Sequence, residues 1–225
     1  MSRTPRTYWV AGTAVLLALL FAAVATMAAA ANGDGDDRAA APTSGPPGLR
    51  SADAGFARDM AVHHQQAVEM SFIVRDRTQD EAVRSLAYDI ANTQANQRGM
   101  LLGWLDLWGL PKVLADEPPM SWMAADGGHS GHAGQARPGG PLMPGMAGKE
   151  ELARLGAAEG RDAEVLYLQL MTDHHKGGVA MAEGCAQLCT TPVERALAQG
   201  MVDAQQSELT LMADMLAKRG AAPRG

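Results

Sequence analysis

Twelve residues of this chain recur 111 positions later, and both copies carry the same four potential metal ligands. In each copy a Met is followed three and four residues later by a His-His pair, and a second Met ends the unit. The four matched pairs are Met60 and Met171, His63 and His174, His64 and His175, and Met70 and Met181. Soft and borderline metals prefer thioether and imidazole ligands. The repeat therefore predicts two similar halves that share one kind of chemistry.

Each half is predicted to be a helical hairpin. Helical periodicity marks four segments, at about 51–77, 80–108, 150–186 and 191–218. Before the last segment, Thr191 and Glu194 have the spacing of a capping box and Pro192 suits the first helical position. Since one hairpin cannot bury its own apolar faces, the sequence predicts an all-α fold, an antiparallel four-helix bundle of two hairpins.

An N-terminal export segment and a linker precede the predicted bundle. In residues 1–31, Arg3 and Arg6 come before an apolar run long enough to cross a bilayer, which predicts a signal peptide or a transmembrane anchor. The Gly- and Pro-rich residues 32–50 are typical of a disordered linker. The bundle domain is then 51–218, with hairpins 51–110 and 150–218. We expect an exported protein, either anchored in the membrane and facing outward, or periplasmic or secreted.

Between the hairpins, residues 111–149 are rich in Gly and Pro, which predicts a mobile loop. The loop carries Met and His at spacings that suit low-affinity copper capture, although such residues also occur by chance in a linker. These residues are Met120, Met123, His129, His132, Met143 and Met146.

The His-His pairs are predicted to lie on the buried faces of their helices. At about 100° per residue, the Met and His side chains of each copy fall within about a third of the helix circumference. A Met stripe is often ordinary core, but paired buried imidazoles need partners, and a metal ion would satisfy them. The candidate ligands are His63, His64, His174, His175, Met60, Met70, Met171 and Met181.

The second and fourth helices place polar side chains on their apolar stripes. Buried amides and carboxylates need partners, and the second ring nitrogens of the histidines would suit them. The candidates for this outer role are Gln94, Gln97, Gln205 and Glu208, and Glu208 could also bind a metal directly.

The ligand set favours copper. Thioether and imidazole together suit Cu(I), with Cu(II) or Ag(I) as further candidates, whereas zinc more often recruits thiolates or carboxylates. A di-iron site would need Glu-x-x-His on two helices, which this sequence lacks. The net charge of −6 argues against nucleic acid as a partner.

The two cysteines, Cys185 and Cys189, have three interpretations. They could form a disulfide if the helix ends between them, act as extra soft ligands, or fill the core. Because Cys185 continues the His and Met stripe, it is an auxiliary ligand candidate, as are His129 and His132 in the loop.

The doubled motif resembles the signature of the domain of unknown function 305 (DUF305) family. The resemblance covers about residues 50–217 and begins at Asp53 and Phe56 in the first copy and at Glu164 and Tyr167 in the second. It implies a ferritin-like four-helix bundle and, from the CopM-type members, an exported copper-binding protein involved in copper resistance. The chain departs from the family pattern at Gln97, where Glu is usual, and at residues 176–178.

Three functions therefore remain open from the sequence. The first is a non-catalytic copper protein for sequestration, tolerance or transfer. The second is a ferritin-like metal-dependent oxidoreductase, although no nucleophile or acid–base pair is evident. The third is a structural or interaction module with buried His networks and no metal. A membrane contact through residues 1–31 and a homo-oligomer are both compatible with the sequence.

Overall fold

The computed structural model describes residues 45–126 and 140–224. They form five α-helices and one short 3₁₀ helix, and no strand occurs within these ranges, so the predicted all-α class is confirmed. In chain order the elements are α1 (Ala52–Arg77), α2 (Glu81–Leu107), the 3₁₀ helix (Ser121–Asp126), α3 (Lys149–Ala157), α4 (Gly160–Leu188) and α5 (Pro192–Lys218). The predicted segment 1–31 and most of the linker lie outside the described residues.

The four long helices form two hairpins that join through α1 and α4. Helix α1 packs along α2, α4 packs along α5, and α1 and α4 contact each other. Their direction is antiparallel, because Asp53 at the start of α1 meets Thr190 just after α4, while Thr78 just after α1 meets Glu164 near the start of α4. The two-hairpin bundle predicted from the repeat is therefore the observed fold.

Local signals explain the ends of the first hairpin. The hydroxyl of Ser51 accepts a hydrogen bond from the Ala54 N–H at 3.2 Å and caps α1. The Asp80 carboxylate accepts from the Val83 N–H at 3.0 Å and caps α2. Side chains of this kind satisfy backbone donors that the first helical turn leaves free.

The third predicted helix is interrupted in the structure. The sequence predicted one helix over about 150–186, but the chain forms α3 and α4 with a break at Ala158 and Glu159. Gly160 has a φ of +51°, a conformation that glycine adopts far more readily than other residues. The break lets α3 pack against both α1 and α4 instead of continuing along the axis of α4.

The connection between the hairpins packs on the bundle in its described parts, although the sequence predicted one mobile loop over 111–149. Trp122 of the 3₁₀ helix is buried, and its ring meets Phe56 of α1 edge-on, with centroids 5.9 Å apart. Its Nε1–H donates to the Asp59 carboxylate at 3.0 Å. Aromatic burial and this hydrogen bond hold the segment against α1.

None of the helices within 45–126 and 140–224 combines the length and apolar character that a bilayer crossing requires.

Candidate functional site

A layer of four histidines separates two apolar clusters in the bundle core. We call them the Met60 cluster, which includes Met181, and the Met70 cluster, which includes Met171. The histidines fall between these Met positions on α1 and α4. His63, His64, His174 and His175 are all 0% exposed. The predicted burial of the His-His faces is thus observed.

His63 and His174 meet at the contact between α1 and α4. Their ring centroids lie 3.8 Å apart with an interplanar angle of 34°. The His174 Nε2 lies 2.9 Å from the backbone carbonyl oxygen of His63. Because a carbonyl only accepts hydrogen bonds, Nε2 of His174 carries the proton, and Nδ1 of the neutral ring keeps its lone pair.

The second histidine of each pair points to the companion helix of its own hairpin. His175 Nε2 lies 2.7 Å from Oε2 of Glu208 on α5, so this nitrogen donates to the carboxylate and Nδ1 is left as the base. On the other side, Gln97 of α2 approaches His64 and is the equivalent of Glu208. Of the predicted outer-role residues, Glu208 thus makes the expected contact with a ring nitrogen.

Most of the ring nitrogens in this layer have no hydrogen-bond partner among the described residues. The unpartnered atoms are both nitrogens of His63, both of His64, and Nδ1 of His174 and of His175. Buried polar atoms are usually paired, since burial without a partner costs roughly 1–3 kcal/mol per group. Each neutral imidazole has one lone pair, so these six atoms supply up to four nitrogen ligands for a metal ion.

Burial keeps His63, His64 and His174 neutral. It lowers the pKa of His63 to about 3, with the neighbouring His64 and His175 rings adding to the effect and the Pro144 carbonyl opposing it. Burial also lowers the pKa of His64 to about 3, while Gln97 opposes the shift. The pKa of His174 is well below its ordinary value, again chiefly through burial. At neutral pH the lone pairs are thus available to a cation rather than to protons.

The four predicted methionine ligands flank the layer on both sides. Met60 and Met181 lie in the cluster on one side, and Met70 and Met171 lie in the cluster on the other, all of them fully buried. Each side therefore receives one thioether from α1 and one from α4. The same thioethers also fill the core, as the sequence allowed.

A strap formed by residues 143–146 crosses the layer from outside. A Cβ added to Gly177 would lie 2.1 Å from the Pro144 carbonyl oxygen, so only glycine fits beneath the strap. Gln66 anchors the next residue by two hydrogen bonds, donating to the Ala147 carbonyl at 2.9 Å and accepting from the Ala147 N–H at 2.7 Å. Met143 of the strap is buried in the Met60 cluster.

Two predicted outer-role residues, the buried Gln94 and Gln205, make no hydrogen bond to a ring nitrogen among the described residues. Both polar atoms of the Gln94 side chain and Oε1 of Gln205 lack partners among the described residues. The Gln205 carboxamide occupies the space beside Gly178, where an added Cβ would meet its Oε1 at 2.5 Å. The room that the small residue after the His pair provides is therefore filled by Gln205 in this half.

The cysteines form a disulfide, so the open choice from the sequence is decided. Helix α4 ends at Leu188, between Cys185 and Cys189, which lets the two sulfurs meet. Cys185 is therefore not an auxiliary thiolate ligand in this form of the protein. Glu194 lies beside the disulfide. Within the described residues, Cys185, Cys189 and Glu194 form a group of three possible metal ligands, with one ligand atom from each residue within 4.8 Å of the other two. The four histidines do not meet that criterion in this conformation.

Glu194 belongs to the group around the disulfide, whereas the sequence assigned it to the capping box of the last helix. The predicted capping box is wrong: Thr191 is the N-cap, but its side chain makes no cap hydrogen bond. Asp53 of α1 supplies the cap instead and accepts from the Thr190 and Thr191 N–H groups at 3.0 and 2.7 Å. Glu194 is fully buried, and burial and the nearby Asp53 raise its pKa to about 9.

Two further predictions concern residues that the structure does not describe. His129 and His132 of the interhelical loop lie outside the described residues. The strap was the feature that the sequence signalled only weakly. Its Met143-x-x-Met146 spacing was noticed, but not its contact with α4.

Solved structures of similar proteins share this fold. A DUF305 protein from Streptomyces coelicolor that is thought to be secreted is 61% identical, with a TM-score of 0.70 and coverage of 79% of this chain and 99% of that one. A DUF305 fragment from Deinococcus radiodurans is 29% identical, with a TM-score of 0.59 and coverage of 76% and 99%. CopM in its Cu(I)-bound form is 19% identical, with a TM-score of 0.53 and coverage of 74% and 96%, which is a likeness of fold alone.

No protein of curated function matched the chain. The family described as Domain of unknown function (DUF305) matches residues 53–216. This match covers most of the chain and includes both His-His motifs, the whole of the layer between them and the disulfide. The protein therefore belongs to the DUF305 family.

Proposed function

We propose that this protein binds a soft monovalent cation of the copper class, Cu(I) above all, in the histidine layer, and that it sequesters or transfers this cargo. The observation that carries the proposal is the set of six buried, unpartnered ring nitrogens on His63, His64, His174 and His175. A purely structural His network would pair these atoms with protein groups, whereas a metal ion pairs with them directly.

The available lone pairs favour His174 and His175 as oriented ligands. The His63 carbonyl and the Glu208 carboxylate each hold an Nε2–H, so the two Nδ1 atoms are the free bases. Metal-binding histidines commonly donate their second N–H to a carbonyl or carboxylate in this way. His63 stacks on His174 and can turn either nitrogen to the same ion.

The surroundings of the layer favour a soft ion of low charge. Met60 and Met181 on one side, and Met70 and Met171 on the other, offer thioethers, which select Cu(I) over harder cations. Imidazole and thioether donors are neutral, so a divalent ion would bring more uncompensated charge into the core than a monovalent one. Within the described residues, the Glu208 carboxylate accepts a hydrogen bond from His175 of the layer. Its single negative charge balances the charge of a monovalent ion.

The geometry of the histidine layer suits a transported cargo better than a fixed catalytic centre. No three histidines of the described layer each place a nitrogen within 4.8 Å of the others, so a site with three histidine ligands requires the rings to rotate. Catalytic metal sites are held close to their working geometry by packing and outer hydrogen bonds. Here Glu208 provides such support to His175, and the corresponding support for His64 comes only from an approaching Gln97.

Similar structures give the proposal further support. CopM has been solved with Cu(I), with Cu(II) and with silver, and its fold is similar to that of this chain. The identities of 16–20% carry the fold and not the ligands. The metals bound by CopM are nevertheless those that thioether and imidazole donors prefer.

We further propose that the protein works outside the cytoplasm. Arg3 and Arg6 before an apolar run are typical of an export segment. The Cys185–Cys189 disulfide suits an oxidising compartment, and the similar Streptomyces coelicolor protein is thought to be secreted. Detection of the mature protein in cell-envelope or culture fractions, with its N-terminus determined by mass spectrometry, tests this part of the proposal.

Anaerobic titration with Cu(I) in competition with a chromophoric chelator tests the binding proposal. The variant His63→Ala/His174→Ala removes the central pair, and His129→Ala/His132→Ala removes the same number of histidines from the loop as a matched control. We expect the bundle variant to bind Cu(I) at least tenfold more weakly and the loop variant to match the unaltered protein. Equal binding by all three proteins would refute the proposal.

A second variant guards against simple loss of folding. Met60→Leu/Met181→Leu removes two thioethers and keeps the side chains close in volume, so each replacement should cost the core less than about 1.5 kcal/mol. Circular dichroism and thermal unfolding establish that the variant is folded. Weaker Cu(I) binding by this folded variant is the expected outcome, and unchanged binding would remove the thioethers from the proposed ligand set.

A further inference from the structure

A second group of potential ligands surrounds the turn between α4 and α5. Cys185 lies in the last turn of α4, Cys189 directly follows that helix, and Glu194 lies in the first turn of α5. All three are buried, and a ligand atom from each lies within 4.8 Å of those of the other two. The cluster is separate from the histidine layer and uses other kinds of donor.

Glu194 is the unexplained member of this group. Its side chain is 0% exposed, and neither carboxyl oxygen accepts a hydrogen bond among the described residues. Burial and the neighbouring Asp53 carboxylate raise its pKa to about 9, so it is a neutral acid at pH 7. Other buried acids of the protein do have donors. Asp53 accepts from Thr190 and Thr191, and Glu164 accepts from Thr78 and Arg219. Glu194 therefore differs from Asp53 and Glu164, and burial of a carboxyl group that accepts no hydrogen bond is unfavourable for folding.

The internal repeat shows that the fold does not require these three residues. At the offset of 111, Cys185 matches Val74, Cys189 matches Thr78, and Glu194 matches Val83. The two valines are fully buried in the first hairpin, so the same turn there is built with ordinary core residues. A carboxyl group in place of Val83, beside two sulfurs, therefore indicates a role that packing does not supply.

We propose that Cys185, Cys189 and Glu194 form a redox-gated site for a zinc-class divalent cation, open only when the disulfide is reduced. Two thiolates and one carboxylate are ligands that Zn(II) accepts, and they leave a fourth position for water or another group. The carboxylate distinguishes this site from the His and Met layer, because Cu(I) prefers soft donors without a carboxylate.

The gating step balances through thiol–disulfide exchange. An external dithiol gives two electrons and two protons to the Cys185–Cys189 disulfide, which becomes two thiols, and the dithiol becomes a disulfide. The cation then binds both sulfurs and the Glu194 carboxylate, and it releases one proton from each thiol and the proton that the buried Glu194 carboxyl group holds at neutral pH. With Zn–S bonds of about 2.3 Å, tetrahedral geometry places the sulfurs about 3.8 Å apart. Cys189 can move to that distance because it lies beyond the last residue of α4.

Titration of the whole protein with Cd(II) tests the site, because Cd(II)–thiolate bonds absorb in the ultraviolet and Cd(II)–imidazole bonds do not produce that band. The protein is reduced with dithiothreitol, freed of it without oxygen, and compared with the oxidised protein. We expect one equivalent of Cd(II) to produce the band in the reduced protein and none in the oxidised protein. A reduced protein that remains helical by circular dichroism and gives no band, or one that loses its helical signal on reduction, overturns the proposal.

Glu194→Gln tests the carboxylate, and Glu183→Gln, an exposed neighbour on α4, is the matched control. We expect Glu194→Gln to weaken Zn(II) binding by the reduced protein at least tenfold, measured against a zinc chelator, and Glu183→Gln to leave it unchanged. Equal affinities for the two variants would remove Glu194 from the site. Cu(I) binding by the oxidised protein reports the histidine layer separately, so failure of either site is distinguishable from failure of the other.

Discussion

The two hairpins share one helical plan but give their histidines different partners. In the C-terminal hairpin, Glu208 accepts a hydrogen bond from His175 and leaves one defined nitrogen free. In the N-terminal hairpin, Gln97 holds the equivalent position and both nitrogens of His64 are unpartnered. The same helical arrangement thus holds the His175 ring in one orientation and leaves the His64 ring without a hydrogen bond that fixes its orientation. The difference indicates that duplicated sites can separate into a fixed ligand and an adaptable one through a single outer residue.

The hairpin turns differ in the same sense. The N-terminal hairpin closes with Val74, Thr78 and Val83, and the C-terminal hairpin closes with Cys185, Cys189 and Glu194. Thr78 donates its hydroxyl hydrogen to Glu164 at 2.6 Å, while the cysteines pair with each other. The turn of the C-terminal hairpin therefore carries a disulfide and a buried carboxyl group at three positions where the turn of the N-terminal hairpin has valine, threonine and valine.

Acid should destabilise the metal-free protein most strongly, through the three histidines whose pKa is lowered by burial, His63, His64 and His174. The pKa of His63 and of His64 is about 3 in the folded protein, against 6.5 for an ordinary histidine. The unfolded chain then binds more protons between these values, so stability is complete above about pH 6.5 and falls as pH decreases towards 3. The slope is about 1.4 kcal/mol per pH unit for each histidine. Urea unfolding from pH 7 to 4.5 measures it.

His64→Gln is expected to reduce the slope of the unfolding free energy against pH below pH 6.5 by the contribution of one histidine, about 1.4 kcal/mol per pH unit. His129→Gln removes a histidine from the loop and serves as the comparison. Equal slopes for the two variants would show that His64 is not a neutral buried group in the folded protein.

A rise in pH should lower the stability of the folded protein through Glu194 in the C-terminal half, which is the opposite pH dependence. Burial and the nearby Asp53 raise the pKa of Glu194 to about 9, so the folded state keeps a proton that the unfolded state loses. Its contribution is fully present below about pH 4.5 and is lost as pH rises towards 9, with a slope of up to about 1.4 kcal/mol per pH unit. We expect Glu194→Gln, measured by urea unfolding between pH 6 and 9, to remove this slope. A slope that persists in the variant would assign it to another group.

Exchanging the outer residues should move each half towards the other. Glu208→Gln gives the C-terminal half the partner of the N-terminal half, and it should weaken Cu(I) binding about 10- to 100-fold, the usual effect of losing such a partner. Gln97→Glu makes the reverse change and should strengthen binding. Chelator competition measures both affinities. If both substitutions leave the affinity unchanged, the outer residues do not orient the ligands.

The strap should be sensitive to one glycine of the C-terminal half. A Cβ in Gly177→Ala would meet the Pro144 carbonyl, and a backbone atom cannot move aside as a side chain can. We expect a loss of about 1–3 kcal/mol, as for other overpacked sites, measured by urea unfolding. Gly200→Ala, where nothing lies within 4 Å of the added Cβ, should instead gain about 0.5–1 kcal/mol from helix propensity. A stable Gly177→Ala protein would mean that the strap is not held against α4.

Gly178→Ala should have the smallest effect. It gives the C-terminal half the alanine that the N-terminal half already has at Ala67. The added Cβ meets only the end of the Gln205 side chain, which can rotate away. We expect a change in stability of less than about 1 kcal/mol, in the same urea assay. A loss as large as that of Gly177→Ala would show that the Gln205 carboxamide is fixed.

The sequence predicted the elements that repeat and missed those that depend on distant contacts. Helical periodicity and the offset of 111 were enough for the two hairpins and for the buried His-His faces. The break before Gly160 was missed because a helical pattern continues on both sides of it. The strap was missed because its position depends on Gly177, 33 residues beyond Pro144. The cap of α5 was assigned to local residues, but Asp53 provides it from another helix.

The site was predictable to the level of residue type and face. The spacing placed His63 and His174 on the buried stripes of their helices, and the structure shows that these two rings meet each other. Which ring nitrogens stay free depends on the His63 carbonyl and on Glu208, and such hydrogen bonds are set by the packing of three helices. Whether Cys185 and Cys189 can form a disulfide depends on the residue at which α4 ends. Sequence patterns define helix ends only to within one or two residues.

A crystal structure of the Cu(I)-loaded protein, with copper located by its anomalous scattering, tests the central claim most directly. We predict a copper peak in the histidine layer, bonded to Nδ1 of His174 or His175 and to at least one more histidine or methionine of α1 or α4. A peak only in the loop that carries His129 and His132, or only at the cysteines, with the ring nitrogens of the layer still unpartnered, would contradict the claim.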